Sequence, residues 1–340
     1  MKDDAVIDVH AHVFPRQALE LTGTGIPWHG SLVERDPATG SPITLTGDKK
    51  QVYGSGLHYE GPEARIRGMD RIGVDVQVLS VLPPLYRYEL DLDVALPAVQ
   101  AINDDIADLC RTWPDRFLGL ATLPLQDPKA AVAELDRCMN ELGLIGASIG
   151  TYVRDANLDD PALMPVFEAL AERKAFVFVH PSHPRGGKVM SSYFLHNLIG
   201  NTWETAVAMA SLMFGGPLER LPELTVCFAH GGGYGPWSVG RFEHGFEVRN
   251  EPKAKVSTPP RELLHRIYVD SLVHDHRALQ YLLDQVGEAN VLMGSDFPAD
   301  MGPDDPVAEI TANPLLSEAQ KRAVQSGNTI ALLRRLGHIA

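Results

Sequence analysis

The pattern of apolar and polar positions along the chain predicts eight short strands separated by amphipathic helices. Each predicted strand is a run of β-branched or other apolar residues bounded by polar segments. In residues 128–142, the apolar positions Ala131, Leu135 and Met139 recur at helical spacing. The predicted strands are residues 6–9, 76–80, 117–122, 144–150, 176–179, 224–229, 267–270 and 291–293.

The order of these elements predicts an α/β fold. Strands that alternate with helices form a parallel sheet, and a continuous apolar strand such as residues 176–179 is typical of a sheet covered on both faces. Eight such units favour a closed (β/α)8 TIM barrel over an open sheet. Because a length of 340 residues is normal for such a barrel with insertions, we predict one domain over residues 1–340.

The connection after the first strand is exceptionally long. It runs over residues 13–62 and is rich in Gly, Pro, Thr and Asp. A loop of this length in a compact domain usually has a function, and the active sites of these barrels lie at the carboxyl ends of the strands. We therefore expect this insertion to form a lid or a wall of the active site.

Composition and charge restrict the partners. Hydrophobic residues make up 44% of the chain and charged residues 22%, as in an ordinary globular protein. The formal net charge of −14 argues against nucleic acid and an anionic membrane surface, since both attract basic patches. A small-molecule substrate fits better, and if it is an anion, each cationic side chain in the pocket becomes important.

The sequence shows no export signal and no apolar run long enough to span a bilayer. We therefore expect a soluble cytoplasmic protein. The three cysteines, Cys110, Cys138 and Cys227, form no close pair, which argues against a disulfide framework or a cysteine-based zinc site.

Four polar residues at predicted strand ends suggest a metal centre. His10 and His12 end the first strand, and side chains two apart on a strand point to the same side. His180 follows the fifth strand and Asp296 the eighth. Imidazole and carboxylate ligands suit zinc and related divalent ions. Such an ion lowers the pKa of its bound water to about 7 in favourable cases, which provides hydroxide at neutral pH.

A further histidine, His230, ends the predicted sixth strand and precedes three glycines. Near a metal-bound water it is suited to general acid/base catalysis, and a supporting contact behind the metal ligands is the alternative. Asp296 is open to a second interpretation too, because it can serve as a base instead of a ligand. For any one of these histidines, an ordinary hydrogen-bonded histidine is the competing explanation; the set of positions favours the metal site.

Four sequence motifs resemble those of the amidohydrolase-related (amidohydrolase 2) family, and in particular the decarboxylases typified by aminocarboxymuconate-semialdehyde decarboxylase. The resemblance extends over nearly the whole chain. The motifs are DVHAHVFP at residues 8–15, VHP at 179–181, FAHGGG at 228–233 and GSDFP at 294–298.

The resemblance implies a zinc-dependent barrel that removes CO2 from an unsaturated or aromatic acid without an organic cofactor. It also implies that His10, His12, His180 and Asp296 bind the metal and that His230 is the acid/base. Arg241 is similar to a family arginine that reaches a neighbouring subunit's pocket to hold a substrate carboxylate, which implies a homodimer. A surface salt bridge is the alternative role for Arg241.

Three further positions are candidates for substrate binding. Lys50 stands where the resembled decarboxylase has an arginine, so the charge is kept but bidentate geometry is lost; a solvated loop lysine is the alternative. Tyr193 stands in place of a tryptophan, and Phe297 is retained, although Ala299 follows where the relative has a phenylalanine. These departures predict a pocket shaped for a different molecule.

Together these features predict a non-oxidative decarboxylase of a small unsaturated or aromatic carboxylic acid that uses metal-bound water and His230. The same groups can perform hydrolysis or hydration, so a metal-dependent hydrolase or hydratase acting on a related acid, lactone or amide is the leading alternative. A catalytically silent metal-binding barrel is a third possibility. One metal ion is expected, because residues 146–151 contain no lysine that could bridge two.

Overall fold

The computed structural model describes residues 2–47, 49–53 and 61–339. Within these residues, eight parallel strands follow the chain in the predicted order, and β3 is interrupted at Leu120. The strands are β1 (Ile7–Val13), β2 (Val76–Val81), β3 (Phe117–Gly119 and Ala121–Thr122), β4 (Gly146–Gly150), β5 (Phe176–His180), β6 (Thr225–Phe228), β7 (Tyr268–Asp270) and β8 (Val291–Leu292).

Backbone hydrogen bonds close the strands into a ring. Val9 N of β1 donates to the carbonyl oxygen of Met293, just after β8, at 2.9 Å. Across the interruption in β3, Ile145 N donates to Gly119 O at 2.9 Å and joins the two parts of the sheet. The predicted TIM barrel is thereby confirmed, and the predicted strand ends differ from the observed ones by a few residues.

Helices surround the barrel. The helix Pro128–Asn140 begins where Asp127 accepts a hydrogen bond from Ala130 N, which satisfies one of the free N–H groups of its first turn. The described helices are Arg16–Glu20, Pro62–Ile72, Leu92–Thr112, Pro128–Asn140, Met164–Glu172, Thr202–Phe214, Pro217–Arg220, Val239–Val248, Pro260–Leu264, His276–Val286, Pro306–Thr311, Glu318–Arg322 and Asn328–Leu336. No helix in the described ranges is long and apolar enough to cross a membrane.

The continuous apolar strand β5 is explained by two separate cores. Phe176 and Phe178 belong to a cluster inside the barrel, whereas Val177 and Val179 belong to the cluster between the barrel and the helices. Because side chains alternate along a strand, His180 points to the same side as Phe178. The apolar interior therefore ends at the carboxyl edge of the barrel in a histidine.

The insertion after β1 contains a small antiparallel sheet, where the sequence suggested only a loop. Its strands are Leu32–Arg35, Pro42–Thr46 and Lys49–Val52, paired in that order, and we call them the insertion sheet. The sheet lies beside the carboxyl ends of the barrel strands, because its residues and the loops after β2, β4 and β5 line one cavity. Part of the predicted insertion, residues 54–60, lies outside the described residues.

Candidate metal centre and active site

Five predicted side chains converge at the carboxyl edge of the barrel. Asp296 Oδ1 lies 3.1 Å from His10 Nε2, 2.9 Å from His12 Nε2 and 3.8 Å from His180 Nε2. The other carboxylate oxygen of Asp296, Oδ2, lies 3.6 Å from His230 Nε2. His10 and His12 lie within β1 and not at its end, because β1 continues to Val13.

An irregularity in β1 aims two of these histidines. Between Asp8 and Ala11 the chain advances three residues while its partner β2 advances two, from Gln77 to Leu79. This extra residue is a β-bulge, and it re-aims the side chains that follow. Val9 accordingly packs in the barrel interior and Ala11 against the outer core, so that His10 and His12 face the centre.

Each of three imidazoles has a fixed partner for its Nδ1 atom. His10 Nδ1 donates to Asp270 Oδ2 at 2.7 Å, and His180 Nδ1 donates to the carbonyl oxygen of Pro181 at 2.6 Å. His12 Nδ1 lies 3.2 Å from Val81 O and 3.0 Å from Ser80 Oγ. When each ring is neutral, as in a metal ligand, its proton is held at Nδ1 and the lone pair of Nε2 points toward Asp296.

The geometry of this cluster fits a divalent cation. His10 Nε2 and His12 Nε2 lie 3.1 Å apart, and neither has a proton to share when both rings are neutral. Atoms bound tetrahedrally at about 2.1 Å lie about 3.4 Å apart, and the contacts with Asp296 Oδ1 range from 2.9 to 3.8 Å. His180 Nε2 is buried and has no hydrogen-bond partner among the described residues. A cation between these atoms satisfies all of them.

The electrostatics of the site also favour a positive charge. Burial lowers the pKa of His12, and it lowers that of His180 to about 3. Burial acts in the same direction on His10, but the carboxylates of Asp296 and Asp270 raise its pKa to about 10. Without a cation, His10 therefore holds a proton at Nε2 as well, and a metal ion would take the place of that proton. The pKa of Asp296 lies well below its ordinary value: burial raises it, but the charge of His10 and hydrogen bonds from the histidines outweigh that effect.

His10, His180, His230 and Asp296 offer ligand atoms that all lie within 4.8 Å of one another. Geometry alone therefore allows His230 as a ligand. Its ring differs from the other three, however, because its buried Nδ1 has no hydrogen-bond partner in the described residues. Histidine ligands of metals almost always donate this second N–H to a partner.

The backbone is strained at two of these residues. His230 and Asp296 adopt left-handed φ angles of 56° and 58°, which non-glycine residues rarely do. Such strain persists only where the surroundings impose it and is common at functional sites. The glycines after His230 are required by close packing, since a Cβ on Gly233 would lie 2.1 Å from the carbonyl oxygen of Thr202.

Asp270 is a functional residue that the sequence analysis did not single out. Besides His10 Nδ1, this fully buried carboxylate accepts the backbone N–H groups of His230, Gly231 and Leu272 at 2.8–3.1 Å. It thus positions both His10, a candidate metal ligand, and the backbone of His230, the candidate acid/base. The available signal was its place as the last residue of β7, where barrel enzymes carry functional side chains.

A second buried carboxylate, Asp8, connects the first and last strands. It accepts hydrogen bonds from His10 N at 3.1 Å, from Ser295 Oγ at 2.6 Å and from Gln77 Nε2 at 3.0 Å. Gln77 in turn accepts from the buried Arg65 guanidinium at 2.9 Å. The network fixes the chain on both sides of the cluster.

A cavity of about 450 Å³ lies at the same end of the barrel. It is lined by the insertion sheet, the segments 84–89 and 150–154, and the residues Ser182 and His183. None of the five converging residues is among the described residues that line it, but Gly150 on its wall pairs with His180 in the β4–β5 register. Tyr86 lines it as well and bonds Ser148 Oγ through its hydroxyl at 2.8 Å.

The predicted substrate-binding residues occupy different places. Lys50 lines the cavity, and its Nζ lies 3.6 Å from Asp36 Oδ2. Phe297 is half-buried. The Arg65 guanidinium lies over its ring, with the guanidinium carbon 4.8 Å from the ring centre, and Phe297 does not line this cavity. Tyr193 is 87% exposed on the loop after β5, and Arg241 is exposed on the helix Val239–Val248. Of these four residues, the described structure brings only Lys50 to the cavity, because Tyr193 and Arg241 are exposed elsewhere and Phe297 packs against Arg65.

Comparison with known proteins identifies the relatives. The family model described as amidohydrolase matches residues 7–335. The chain is 39% identical over 328 residues to a 2-amino-3-carboxymuconate-6-semialdehyde decarboxylase of Dictyostelium discoideum, which covers 96% of this chain and 91% of the relative. It is 30% identical over 258 residues to a gamma-resorcylate decarboxylase of Rhizobium radiobacter, covering 69% of this chain and 76% of the relative. Both relatives are named for the reaction class that the sequence predicts.

A solved structure supports the fold. The dihydroxybenzoic acid decarboxylase of Polaromonas sp. superposes with a TM-score of 0.81 at 22% identity, covering 98% of this chain and 99% of that one. That protein is described with bound manganese and an inhibitor, 2-nitroresorcinol. Zinc as the metal of this chain stays a prediction.

Proposed function

Since the chain belongs to the amidohydrolase family, we propose that it is a metal-dependent decarboxylase that removes CO2, without oxidation, from a small unsaturated or aromatic carboxylic acid. One observation carries this proposal: three imidazole Nε2 atoms and one carboxylate oxygen face a single point beside a cavity, and each imidazole is fixed by a partner at Nδ1.

We assign the metal ligands to His10, His12, His180 and Asp296 and the acid/base role to His230. The assignment of His12 over His230 rests on the bonds that its Nδ1 makes with Val81 O and Ser80 Oγ. We propose that the protein binds a single metal ion, zinc, and that the reaction uses no organic cofactor. When bound, it supplies Lewis-acid stabilisation of negative charge at this point.

Asp296 can serve both predicted roles with its two oxygens. Oδ1 faces the ligand nitrogens, whereas Oδ2 faces His230 Nε2 at 3.6 Å. The carboxylate can therefore hold a proton-bearing His230 in place. His230 Nε2 gives a proton to the substrate carbon that carries the carboxylate. The bond to the carboxylate carbon then breaks, CO2 leaves, and the bonding electron pair restores the π-system; His230 regains its proton from solvent.

The substrate must also be oriented, and Lys50 is the predicted residue that reaches the cavity from its own subunit. We propose that the insertion of residues 13–62 acts as a lid, since its sheet forms one wall of this cavity. Phe297, next to the ligand Asp296, would border the substrate when it is bound. Both roles follow from position at the carboxyl edge of the barrel.

We further propose a homodimer in which Arg241 acts near the neighbouring active site, and we keep Tyr193 as a proposed substrate-binding residue. Exposed apolar side chains support an interface on this side: Val189 is 79%, Tyr193 87% and Trp237 67% exposed. The segment that carries Trp237 contacts the start of the helix that follows Val189 and Tyr193, since Tyr234 N donates to the carbonyl oxygen of Thr202 at 3.2 Å. Contiguous exposed apolar surface commonly marks an interface.

The first experiment measures metal content and CO2 release together. The purified protein should contain about one equivalent of a divalent metal, and a His10→Ala/His12→Ala variant should contain little. The metal-loaded protein is then assayed for CO2 with aromatic and muconate-type acids, in parallel with lactones, esters and amides. Turnover of the latter without CO2 would support the hydrolase, and a protein that binds no metal on titration would contradict the proposal.

A further inference from the structure

Arg65 is a buried arginine near the start of the helix Pro62–Ile72. It lies on the buried side of this helix with Ala64 and Met69, and it is only 5% exposed. An arginine is almost never fully buried unless its charge and its donors have partners. The partners of Arg65 therefore indicate what this buried charge does.

The guanidinium of Arg65 contacts three groups beside the metal cluster. Nη2 donates to the carbonyl oxygen of His12, and Nη1 donates to Gln77 Oε1 at 2.9 Å. The guanidinium carbon lies over the ring of Phe297, 4.8 Å from the ring centre. His12 is itself a proposed metal ligand, and Phe297 directly follows another, Asp296. A side chain from an outer helix thus holds two segments that carry ligands.

Gln77 connects Arg65 to a buried anion. Its Oε1 accepts from Arg65 while its Nε2 donates to Asp8 Oδ2 at 3.0 Å, so its amide group cannot turn over without losing both bonds. Asp8 also accepts from His10 N, Ser295 N and Ser295 Oγ. Four donors favour the carboxylate form of Asp8. The amide of Gln77 therefore bridges a cation and an anion, and the anion holds the backbone on both sides of the cluster.

The charge of Arg65 strengthens these contacts. Burial lowers the pKa of its guanidinium to about 10, and the negative charge of Asp8 acts in the opposite direction. Arg65 is therefore protonated at neutral pH. Hydrogen bonds from a charged donor are stronger than those from a neutral one. The planar guanidinium can also serve two acceptors at fixed angles, which the single ammonium group of a lysine cannot.

These contacts lie at the seam where the barrel closes. On this side β1 meets the chain after β8, and His12 N donates to the carbonyl oxygen of Phe297 at 2.7 Å. Three of the four proposed ligands, His10, His12 and Asp296, lie on the two segments that meet here. The 2.9 Å between Asp296 Oδ1 and His12 Nε2 thus spans the seam. A shift of one segment against the other would change the arrangement of the ligands.

We infer that Arg65 is a positioning residue of the metal centre, which fixes β1 against the segment after β8 and so sets the arrangement of His12 and Asp296 around the ion. It acts through its three contacts and not by binding the ion. Without the guanidinium, the carbonyl oxygen of His12 and the amide of Gln77 lose a buried donor, and such a loss is unfavourable. This inference rests on the metal centre of the proposed function.

The visible spectrum of the cobalt-loaded protein tests this role, because the d–d bands of Co²⁺ depend on the geometry of its ligands. Arg65→Met removes the charge and the donors but keeps an unbranched side chain. It should change these bands and weaken cobalt retention against increasing chelator about 10- to 100-fold. Arg65→Lys keeps the charge with a single donor group, and it should restore part of both properties.

Arg67→Met is the matched control. Arg67 is exposed on the same helix, so this variant should keep the wild-type bands and retention. Spectra are compared only for protein that circular dichroism shows to be folded, since a merely structural role would lower stability without changing them. Wild-type bands and retention in folded Arg65→Met, or in Arg65→Lys if Arg65→Met does not fold, would overturn the inference. Failure of the wild type to bind cobalt would instead contradict the metal centre itself.

Discussion

At the scale of single residues, Asp270 determines how His10 presents its lone pair. Its Oδ2 accepts from His10 Nδ1 and from His230 N, so one carboxylate orients both a proposed ligand and the proposed acid/base. Partners behind metal ligands commonly affect metal affinity strongly, although they touch neither metal nor substrate.

Asp270→Asn should weaken metal binding about 10- to 100-fold, because the amide group can turn its N–H toward His10 Nδ1 and loses the negative charge. Metal retention during dialysis against increasing chelator concentrations measures this effect. Asp284→Asn, an exposed change on the helix His276–Val286, is the matched control and should retain metal like wild type. Equal retention by both variants would show that Asp270 has no role in orienting the ligand.

His230→Asn separates the two roles that geometry allows for this histidine. As an acid/base, its loss should reduce kcat by about 10²- to 10⁴-fold while about one equivalent of metal remains bound. His12→Asn, the matched variant, should lose the metal as well as the activity. If His230→Asn loses the metal and His12→Asn keeps it, the ligand set is His10, His180, His230 and Asp296.

At the scale of elements, the pairing of β4 with β5 supports His180. Gly146 begins β4 opposite Phe176, and a Cβ at Gly146 would lie 2.0 Å from the carbonyl oxygen of Phe176. Backbone cannot move aside as a flexible side chain can, so the two strands approach this closely only with glycine at that position.

Gly146→Ala should therefore destabilise the protein by about 3 kcal/mol or more, as forced overpacking does. The free energy of unfolding from denaturant titration measures it. Gly143→Ala is the control: its φ is 73° but no atom lies within 4 Å of the added carbon, so only the conformational cost of about 1 kcal/mol applies. Similar costs for the two variants would show that the strands can separate to accept the methyl group.

At the scale of the whole molecule, the proposed role of Arg241 would make a dimer part of the proposed active site. Arg241 is exposed and does not line the cavity of its own chain. A residue that completes a neighbouring site in a symmetric dimer can be supplied by either subunit, since the interface uses the same surface twice.

Mixing two inactive variants tests this arrangement. Arg241→Ala and His230→Asn subunits, mixed equally and allowed to exchange, should recover about a quarter of wild-type activity, because half of the dimers carry one intact site of two. Each variant mixed with itself is the control and should remain inactive. No recovery after verified exchange would contradict an active site shared between subunits. The cytoplasmic location of the assembly stays a prediction.

Part of this structure could be predicted from the sequence alone. The periodic apolar runs predicted eight strands in the observed order, because the alternation of apolar and polar residues and the length of each run are properties of neighbouring residues. His10, His12, His180, His230 and Asp296 stood out because each follows a predicted strand, and a parallel barrel brings the carboxyl ends of its strands together. The observed β1 continues to Val13, so His10 and His12 lie within it. The amidohydrolase family was predicted from the same motifs and is confirmed.

The tertiary structure decided what the local pattern could not. The bulge between Asp8 and Ala11 depends on pairing with β2, and without it Val9 and the histidines would alternate differently. Asp270 acquires its place behind the metal cluster from atoms distant in sequence, since its partner His10 lies 260 residues away. Its residue type fits a surface or a turn equally well. Only folding buries this charge, and burial makes a partner necessary.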